Sequence, residues 1–146
     1  MLYITSQNGI DFIKAFEGLK TKPYLCNAGM PTIGYGHVLS SLSEIQEISE
    51  EEAEALLRED LKKAESCVRR NISVPILQNQ FDALVSFSFN VGAGAFQRST
   101  LRQKINYMAL EDEIYKEFMR WIYISGQKLA GLIRRRSLEA KIYLDI

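Results

Sequence analysis

The stretch EGLKTKPYLCNAGMPTIGYGH, residues 17–37, decides the fold that we predict for this chain. Glu17 ends a short segment in which apolar residues recur at helical spacing, and Gly18 is typical of the left-handed residue that follows a helix. After it, KPYLC predicts a strand, NAGMP a turn, and TIGYGH the partner strand. The apolar residues of the helical segment are Ile10, Phe12, Ile13 and Phe16. A helix followed by a strand pair is therefore expected here.

The second predicted strand has an unusual polar face. Alternation along TIGYGH places Thr32, Gly34 and Gly36 on the same face, and glycines there would let another molecule approach the backbone closely. GYGH matches neither of the glycine-rich phosphate-loop patterns, because it has no following lysine and no third glycine at the required spacing. We therefore expect a ligand other than a nucleotide phosphate at this face.

Three residues of this stretch resemble the active-site signature of the phage-type lysozymes, or endolysins. Glu17, Cys26 and Thr32 are separated by eight and then five residues, and IGYGH follows Thr32 directly. Further segments resemble the same family in the same order, so that nearly the whole chain is covered. They are residues 48–61, 89–96, 99–102, 120–121 and 131–136. The middle position of the signature is most typically Asp in the family and is Cys here.

The resemblance implies an enzyme that hydrolyses the β-1,4 bond between N-acetylmuramic acid and N-acetylglucosamine in peptidoglycan, with inversion. Glu17 would protonate the leaving oxygen, Cys26 would stand where a carboxylate usually activates the water, and Thr32 would help to hold that water. A thiol with an ordinary pKa of about 8.5 is a poor base unless its neighbours lower it. Lys20, Lys22 and the Thr32 hydroxyl are the candidates for this effect.

The resemblance also implies residues around the catalytic three. Gly36, Val38, Phe89 and Ser99 are expected to contact the glycan. His37, the only histidine, and Asp60 are expected to form an ion pair that ties the strand region to the long helix. The sequence gives no sign of a cofactor, and one histidine with two cysteines does not match zinc-ligand spacing.

The fold class that we predict is α+β, lysozyme-like and mostly helical, in a single catalytic domain of residues 1–146. A small β-containing lobe at about 13–48 is joined by a long helix at about 49–71 to a helical lobe at about 72–146, which packs with the N-terminal helix. Ser49 and Glu52 form a capping box at the start of the long helix. Beyond Pro75 the spacing predicts several helices and no strands, with Gly126 and Gly131 flanking a loop before the last helix.

Composition and charge are those of an ordinary globular protein. The chain has 146 residues, is 47% apolar, and balances 18 basic against 18 acidic residues, so no overall field favours nucleic acid. The basic run at residues 134–136 predicts a solvated helix face, with the alternative that it meets the acidic wall polymer. Cys67 lies on the apolar face of the long helix and is expected to be buried.

The expected location follows from the resemblance and from the first residues. MLYITSQNGI has neither the basic start nor the apolar run of a signal peptide, and no stretch reaches the ~20 apolar residues of a membrane span. Phage or prophage endolysins of this kind remain in the host cytoplasm until a separate membrane pore admits them to the periplasm and cell wall. We expect a monomer with peptidoglycan as its partner, and neither nucleic acid binding nor stable membrane insertion.

Two alternatives to hydrolysis remain at this point. A lytic transglycosylase would also use a single Glu, but it needs no water activator and forms a 1,6-anhydro sugar. A wall-binding module that has lost catalysis would also fit, with Cys26 as the lesion.

Overall fold

The computed structural model describes residues 3–44 and 46–146. Within these residues the chain forms seven helices and five short strands, which confirms the predicted α+β class. In chain order they are α1 (Gln7–Glu17), β1 (Lys20–Leu25), β2 (Pro31–Gly34), β3 (His37–Val38), α2 (Glu50–Asn71), α3 (Gln78–Val91), α4 (Ala93–Arg98), α5 (Thr100–Asn106), α6 (Glu111–Phe118), β4 (Tyr123–Ile124), β5 (Gln127–Lys128) and α7 (Ala130–Leu144). None of the described helices combines the length and apolar character that a membrane span needs.

The fold divides into two compact units. Ile10–Lys62 is one of them, called here the strand unit, and it contains β1, β2 and β3. Lys63–Ile146 and the residues up to Gly9 form the other, called here the helical unit. The division falls within α1 and within α2, so both helices contribute residues to each unit.

The strand unit has a three-stranded antiparallel sheet in the order β1-β2-β3. Tyr24 pairs with Thr32 across the first two strands, and Ile33 pairs with His37 across the next two. TIGYGH is therefore not the single strand that was predicted, because the chain reverses at residues 35–36. Gly34 and Gly36 have φ values of 69° and 84°, so both glycines serve the reversal of the chain.

The long helix begins as the sequence predicts. The Ser49 hydroxyl accepts from the Glu52 backbone N–H at 3.1 Å, and the Glu52 carboxylate accepts from the Ser49 N–H at 3.1 Å, which completes the capping box. The apolar face of α2 is buried along its length, and it includes Cys67 as predicted. Its members are Ala53, Leu57, Leu61, Ala64, Cys67 and Val68.

The core of the helical unit is centred on Phe87 of α3. Its ring meets those of Phe96, Phe118 and Trp121 edge to face, at centroid distances of 6.1, 5.6 and 5.5 Å. Phe118 is the last residue of α6, and Trp121 lies beyond the end of that helix.

The sequence missed a small hairpin in the helical unit. Strands β4 and β5 pair antiparallel, with Ser125 and Gly126 at φ values of 51° and 80° between them. Two consecutive positive φ values are typical of the two-residue turns that join hairpins. Gly131 was also wrongly predicted as a loop boundary, because it lies inside α7.

The basic run near the C-terminus is the clearest correction to the predicted surface. Arg135 and Arg136 are 5% and 1% exposed, and both pair with the fully buried carboxylate of Glu139. Arg136 also donates to the Asn90 side chain and to the Trp121 carbonyl. Two of the three arginines are therefore internal, where they share the buried carboxylate of Glu139, and neither the solvated face nor the polymer contact applies to these two.

Candidate active site

Glu17 is the last residue of α1, and its side chain is half-buried. Gly18 follows at φ 72° and donates its N–H to the Lys14 carbonyl at 3.0 Å, which closes the helix with a left-handed residue as predicted. A Cβ built on Gly36 would lie 3.6 Å from Glu17 Oε2. The carboxyl group therefore stands beside the β2–β3 reversal.

The β2–β3 reversal next to Glu17 is packed against neighbouring side chains. A Cβ on Gly34 would lie 3.4 Å from side-chain atoms of Ala53, in α2, and of Ile48, which precedes α2, so both residues pack against this glycine. Tyr35 is buried, and the Lys14 ammonium lies 5.4 Å from its ring centroid. Tyr35, which lies between the two glycines, therefore packs against Lys14 in the last turn of α1.

An ion pair fixes the lysine in this arrangement. Lys14 pairs with Glu54 of α2, whose other oxygen accepts from Arg58 at 3.3 Å. The hydrogen bond to Glu54 raises the pKa of Lys14, and burial raises the pKa of Tyr35. Sequence reasoning missed these residues. The available signal was that Lys14 precedes Glu17 by one helical turn.

Cys26 stands where β1 ends and the next turn begins. Its N–H donates to the Met30 carbonyl at 3.0 Å, and its carbonyl accepts from Gly29 at 2.8 Å. Gly29 has a φ of 78°, as expected for a short hairpin loop that ends in a left-handed residue. The Cys26 side chain is half-buried, so the thiol keeps access to solvent.

The surroundings of Cys26 favour its thiolate. Hydrogen bonds from the backbone at Met30 and Ala28, and then from the Thr32 side chain, lower the pKa of the thiol. Thr32 was among the neighbours expected to have this effect, whereas Lys20 and Lys22 are not among the main causes. A lowered thiol pKa leaves more of the group as thiolate near neutral pH, which is the form that can accept a proton.

Thr32 is nearly enclosed, with 3% of its surface exposed. Its hydroxyl donates to the Met30 carbonyl at 2.8 Å, the same carbonyl that accepts from the Cys26 N–H. The same hydroxyl contributes to the lowered pKa of Cys26, so its one proton serves both the Met30 carbonyl and the Cys26 sulfur, while the oxygen keeps a lone pair as an acceptor. Thr32 can fix the Cys26 turn and accept a hydrogen bond at the same time.

The other predicted site residues divide between the two units. Gly36 is exposed, and Val38 is 52% exposed and pairs with Thr32 across the sheet, so both share the strand unit with Glu17 and Cys26. Phe89 and Ser99 lie in the helical unit. Phe89 is half-buried near the end of α3.

The Ser99 hydroxyl makes two hydrogen bonds to nearby backbone groups. It donates to the Phe96 carbonyl at 2.7 Å and accepts from the Arg102 N–H at 3.1 Å, which makes it the N-cap of α5. With 3% of its surface exposed, Ser99 positions the residues that follow it.

His37 and Asp60 meet as the sequence predicts. His37 Nδ1 lies 3.0 and 2.9 Å from the two carboxylate oxygens of Asp60, within the strand unit. The pair joins β3 to α2. Among residues 3–44 and 46–146, no three His, Cys, Asp or Glu side chains group together as a metal site would require.

The chain is similar in sequence to known proteins. A family profile described as phage lysozyme matches residues 14–139. The chain is 44% identical over 141 residues to an endolysin of Bacillus phage B103, covering 95% of this chain and 53% of that protein. It is 41% identical over 142 residues to an endolysin of Acyrthosiphon pisum secondary endosymbiont phage 1, covering 94% of this chain and 96% of that one.

The fold has solved counterparts as well. The muramidase domain of SpmX from Asticaccaulis excentricus superposes with a TM-score of 0.87 and 38% identity, over 97% of this chain and 98% of that one. The chain spans about half the length of the Bacillus phage relative and nearly the whole length of the other two proteins. Because the profile covers most of the sequence and full-length relatives share more than a third of its residues, the chain belongs to the phage lysozyme family.

Proposed function

We propose that this protein is an endolysin that hydrolyses the β-1,4 bond between N-acetylmuramic acid and N-acetylglucosamine in bacterial peptidoglycan. The observation that carries the proposal is the position of Glu17 beside the Gly36 turn, with Cys26 directly after β1 and Thr32 on β2 of the same sheet. Membership of the phage lysozyme family and similarity to a muramidase domain support it.

The chemistry of the glycosidic bond assigns the roles. Glu17 donates a proton to the leaving oxygen, and a water attacks the anomeric carbon from the opposite face. An inverting enzyme needs its acid and base about 6.5–9.5 Å apart to admit that water. Cys26 takes the proton of the water as a thiolate, while the free lone pair of the Thr32 oxygen orients the water. The lowered pKa of Cys26 supports this role.

The substrate contacts follow from exposure. Gly36 leaves the backbone beside Glu17 uncovered, and Val38 presents an apolar side chain on the same sheet. We assign Gly36 and Val38 to contacts with the sugars that flank the scissile bond. We assign Phe89 to an apolar contact with the glycan. We give Ser99 an indirect role, because its hydroxyl caps α5.

Release to the wall belongs to the same proposal. We infer that the protein remains in the host cytoplasm until a separate pore opens the membrane, and that it then acts as a monomer in the periplasm. Fractionation of host cells before and after pore expression tests this, since wall cleavage before the pore forms would contradict it.

The reaction is tested on purified peptidoglycan by mass spectrometry of the released muropeptides. Hydrolysis gives free reducing muramic acid ends, whereas 1,6-anhydro ends would identify a transglycosylase. Sedimentation with the wall without any released fragment would identify an inert binding module. Proton NMR of the first product anomer tests inversion, because an inverting enzyme releases the α-anomer from a β-linked chain.

A further inference from the structure

An apolar groove in the helical unit lies outside the three proposed catalytic residues. Its volume is about 350 Å³, and its lining comes from the N-terminal segment, the end of α2, the loop after α2, and α3. Val68 and Phe81 are the buried part of the lining, and Arg69 is its one charged residue. We call this hollow the N-terminal groove.

The apolar surface of the groove continues outward at its rim. Ile4 and Leu77 are 65% and 64% exposed, and each is the chain neighbour of a lining residue, Tyr3 and Ile76. The Gln78 side chain donates to the Ile4 carbonyl at 2.9 Å, which brings the two rim segments together. A continuous exposed apolar surface of this kind is typical of an interaction site.

The rim beside the groove is anchored from the inside. Thr5 donates its N–H and its hydroxyl to the Glu65 carboxylate, both at 2.7 Å, and Ser6 donates its N–H to Asp82 at 3.0 Å. Glu65 and Asp82 are buried, so these two acids hold the N-terminal segment and do not contribute negative charge to the surface. Ile4 is therefore fixed at the surface next to the groove.

The charge beside the apolar rim is positive. Arg69 donates to the Tyr3 carbonyl at 2.6 Å, and Arg70, which is exposed, donates to the Ser66 hydroxyl at 2.8 Å. Among the described residues, no carboxylate forms an ion pair with either arginine. The segment of residues 71–77 has no charged side chain. Most donors of both guanidinium groups remain available for an anion.

This combination matches the surface of an anionic bilayer. Exposed apolar side chains enter the boundary between headgroups and acyl chains, while arginines beside them meet the phosphates. A second copy of the chain fits less well, because a symmetric contact would bring Arg69 and Arg70 against the same arginines of the other copy. An uncharged apolar partner would leave both arginines without a counter-charge.

We propose that the N-terminal groove and its rim bind the surface of membranes that contain anionic phospholipids. The contact is peripheral and reversible, with Ile4 and Leu77 in the interface and Arg69 and Arg70 on the phosphates. This inference goes beyond the proposed function and does not depend on cleavage. It gives the protein a place on the inner face of the membrane, where the pore opens.

Binding is measured by sedimentation with vesicles, one set of pure phosphatidylcholine and one set with equal amounts of phosphatidylcholine and phosphatidylglycerol. We expect the parent to bind the second set only, and to bind it more weakly as salt rises. Arg70→Gln should bind about 5-fold more weakly. Lys20→Gln, which removes the same charge from an exposed position in the strand unit, is the control and should match the parent.

The apolar part of the contact is tested with the double variant Ile4→Ser/Leu77→Ser, which should bind about 10-fold more weakly. Both side chains are exposed, so thermal unfolding and wall cleavage should be those of the parent. Leu42→Ser, at a position 46% exposed in the strand unit, is the matched control and should bind as the parent does.

Three results would overturn the inference. The first is binding that does not depend on phosphatidylglycerol, or that falls equally in the variants and their controls. The second is binding of monomeric dodecyl phosphate with no binding of vesicles, which would identify a small-ligand pocket. The third is a dimer in analytical ultracentrifugation that Ile4→Ser/Leu77→Ser converts to a monomer, which would assign this face to a second copy.

Discussion

Glu17 Oε2 lies 3.6 Å from the point where a Cβ would stand on Gly36. The proposed acid and the exposed turn backbone are thus neighbours within one compact unit, although 18 residues separate them in the chain. The contact explains why the site needs both α1 and the β2–β3 reversal. Glu17 ends the helix, and Gly36 has no side chain in the space beside its carboxyl group.

We predict that Gly36→Ala lowers both stability and turnover. At φ 84° an L-residue costs roughly 1–2 kcal/mol, and the added methyl group would also contact the carboxyl of Glu17. Thermal unfolding and steady-state kinetics on purified wall measure the two effects. Gly126→Ala is the matched control, because its φ is 80° and no atom lies within 4 Å. It should lose comparable stability and keep its kcat, and an equal loss of kcat in both would oppose the Glu17 contact.

Replacing Cys26 separates the roles that the thiol can have. Cys26→Asp should preserve or raise activity, because a carboxylate is already ionised at neutral pH. Cys26→Ala should lose the water-activating step, at a cost of about 10²–10⁴ in rate. Alkylation of Cys26 should abolish cleavage as Cys26→Ala does. Cys67 should react far more slowly, because it is 1% exposed. If Cys26→Ala cleaves as fast as the parent, the base assignment is wrong.

The lowered pKa of Cys26 predicts the direction of the pH dependence. Activity should fall as pH drops through the folded pKa of the thiol, which lies below its ordinary ~8.5. The stability that the thiolate contributes is lost in the same direction, because the unfolded thiol binds its proton more tightly. Cys26→Asp should move the acidic limb of the rate profile to lower pH. If the acidic limb of the rate profile stays where it is in the parent, a group other than Cys26 controls the activity at low pH.

Thr32 offers a separate test of how the thiol is tuned. Thr32→Val removes the hydroxyl from a nearly enclosed position, and with it one of the interactions that lower the pKa of Cys26. Alkylation rates measured against pH should show a higher thiol pKa in Thr32→Val. Thr32→Ser keeps the hydroxyl and should restore the parental value. A pKa that is the same in all three proteins would leave the backbone around the thiol, at Met30, Ala28 and Cys26 itself, as the cause of the lowered value.

The pair of His37 and Asp60 should stabilise the strand unit. Both side chains are about a quarter exposed, so solvent screens part of the attraction, and a coupling free energy of roughly 0.5–1.5 kcal/mol is expected. A double-mutant cycle with His37→Gln and Asp60→Asn, followed by chemical denaturation, measures it. Additive effects of the two substitutions would show that the contact contributes no stability.

Local signals in the sequence predicted much of the fold. The capping box at Ser49 and Glu52 and the left-handed Gly18 depend on neighbouring residues, so they can be recognised without knowing the tertiary structure. The β4–β5 hairpin was missed because each strand has only two residues, too few for alternation to be visible. Its signal was the Ser125–Gly126 pair.

The remaining errors have a tertiary cause. The arginines at 135 and 136 were expected to be solvated, but each pairs with Glu139, and charge runs do not reveal a buried partner. The spacing of Glu17, Cys26 and Thr32 identified the candidate site. The packing of Lys14 on Tyr35 and its pairing with Glu54 are not visible in any short pattern, because they join three separate segments.

Muropeptide release by Glu17→Gln tests the central claim most directly. The variant keeps the shape of the side chain but cannot protonate the leaving oxygen, so it should fold as the parent does, bind the wall, and release fragments about 10²–10⁴-fold more slowly. Glu50→Gln, an exposed substitution in the first turn of α2, is the control and should cleave at the parental rate. Retention of more than about a tenth of parental release by Glu17→Gln would contradict the assignment of this residue as the catalytic acid.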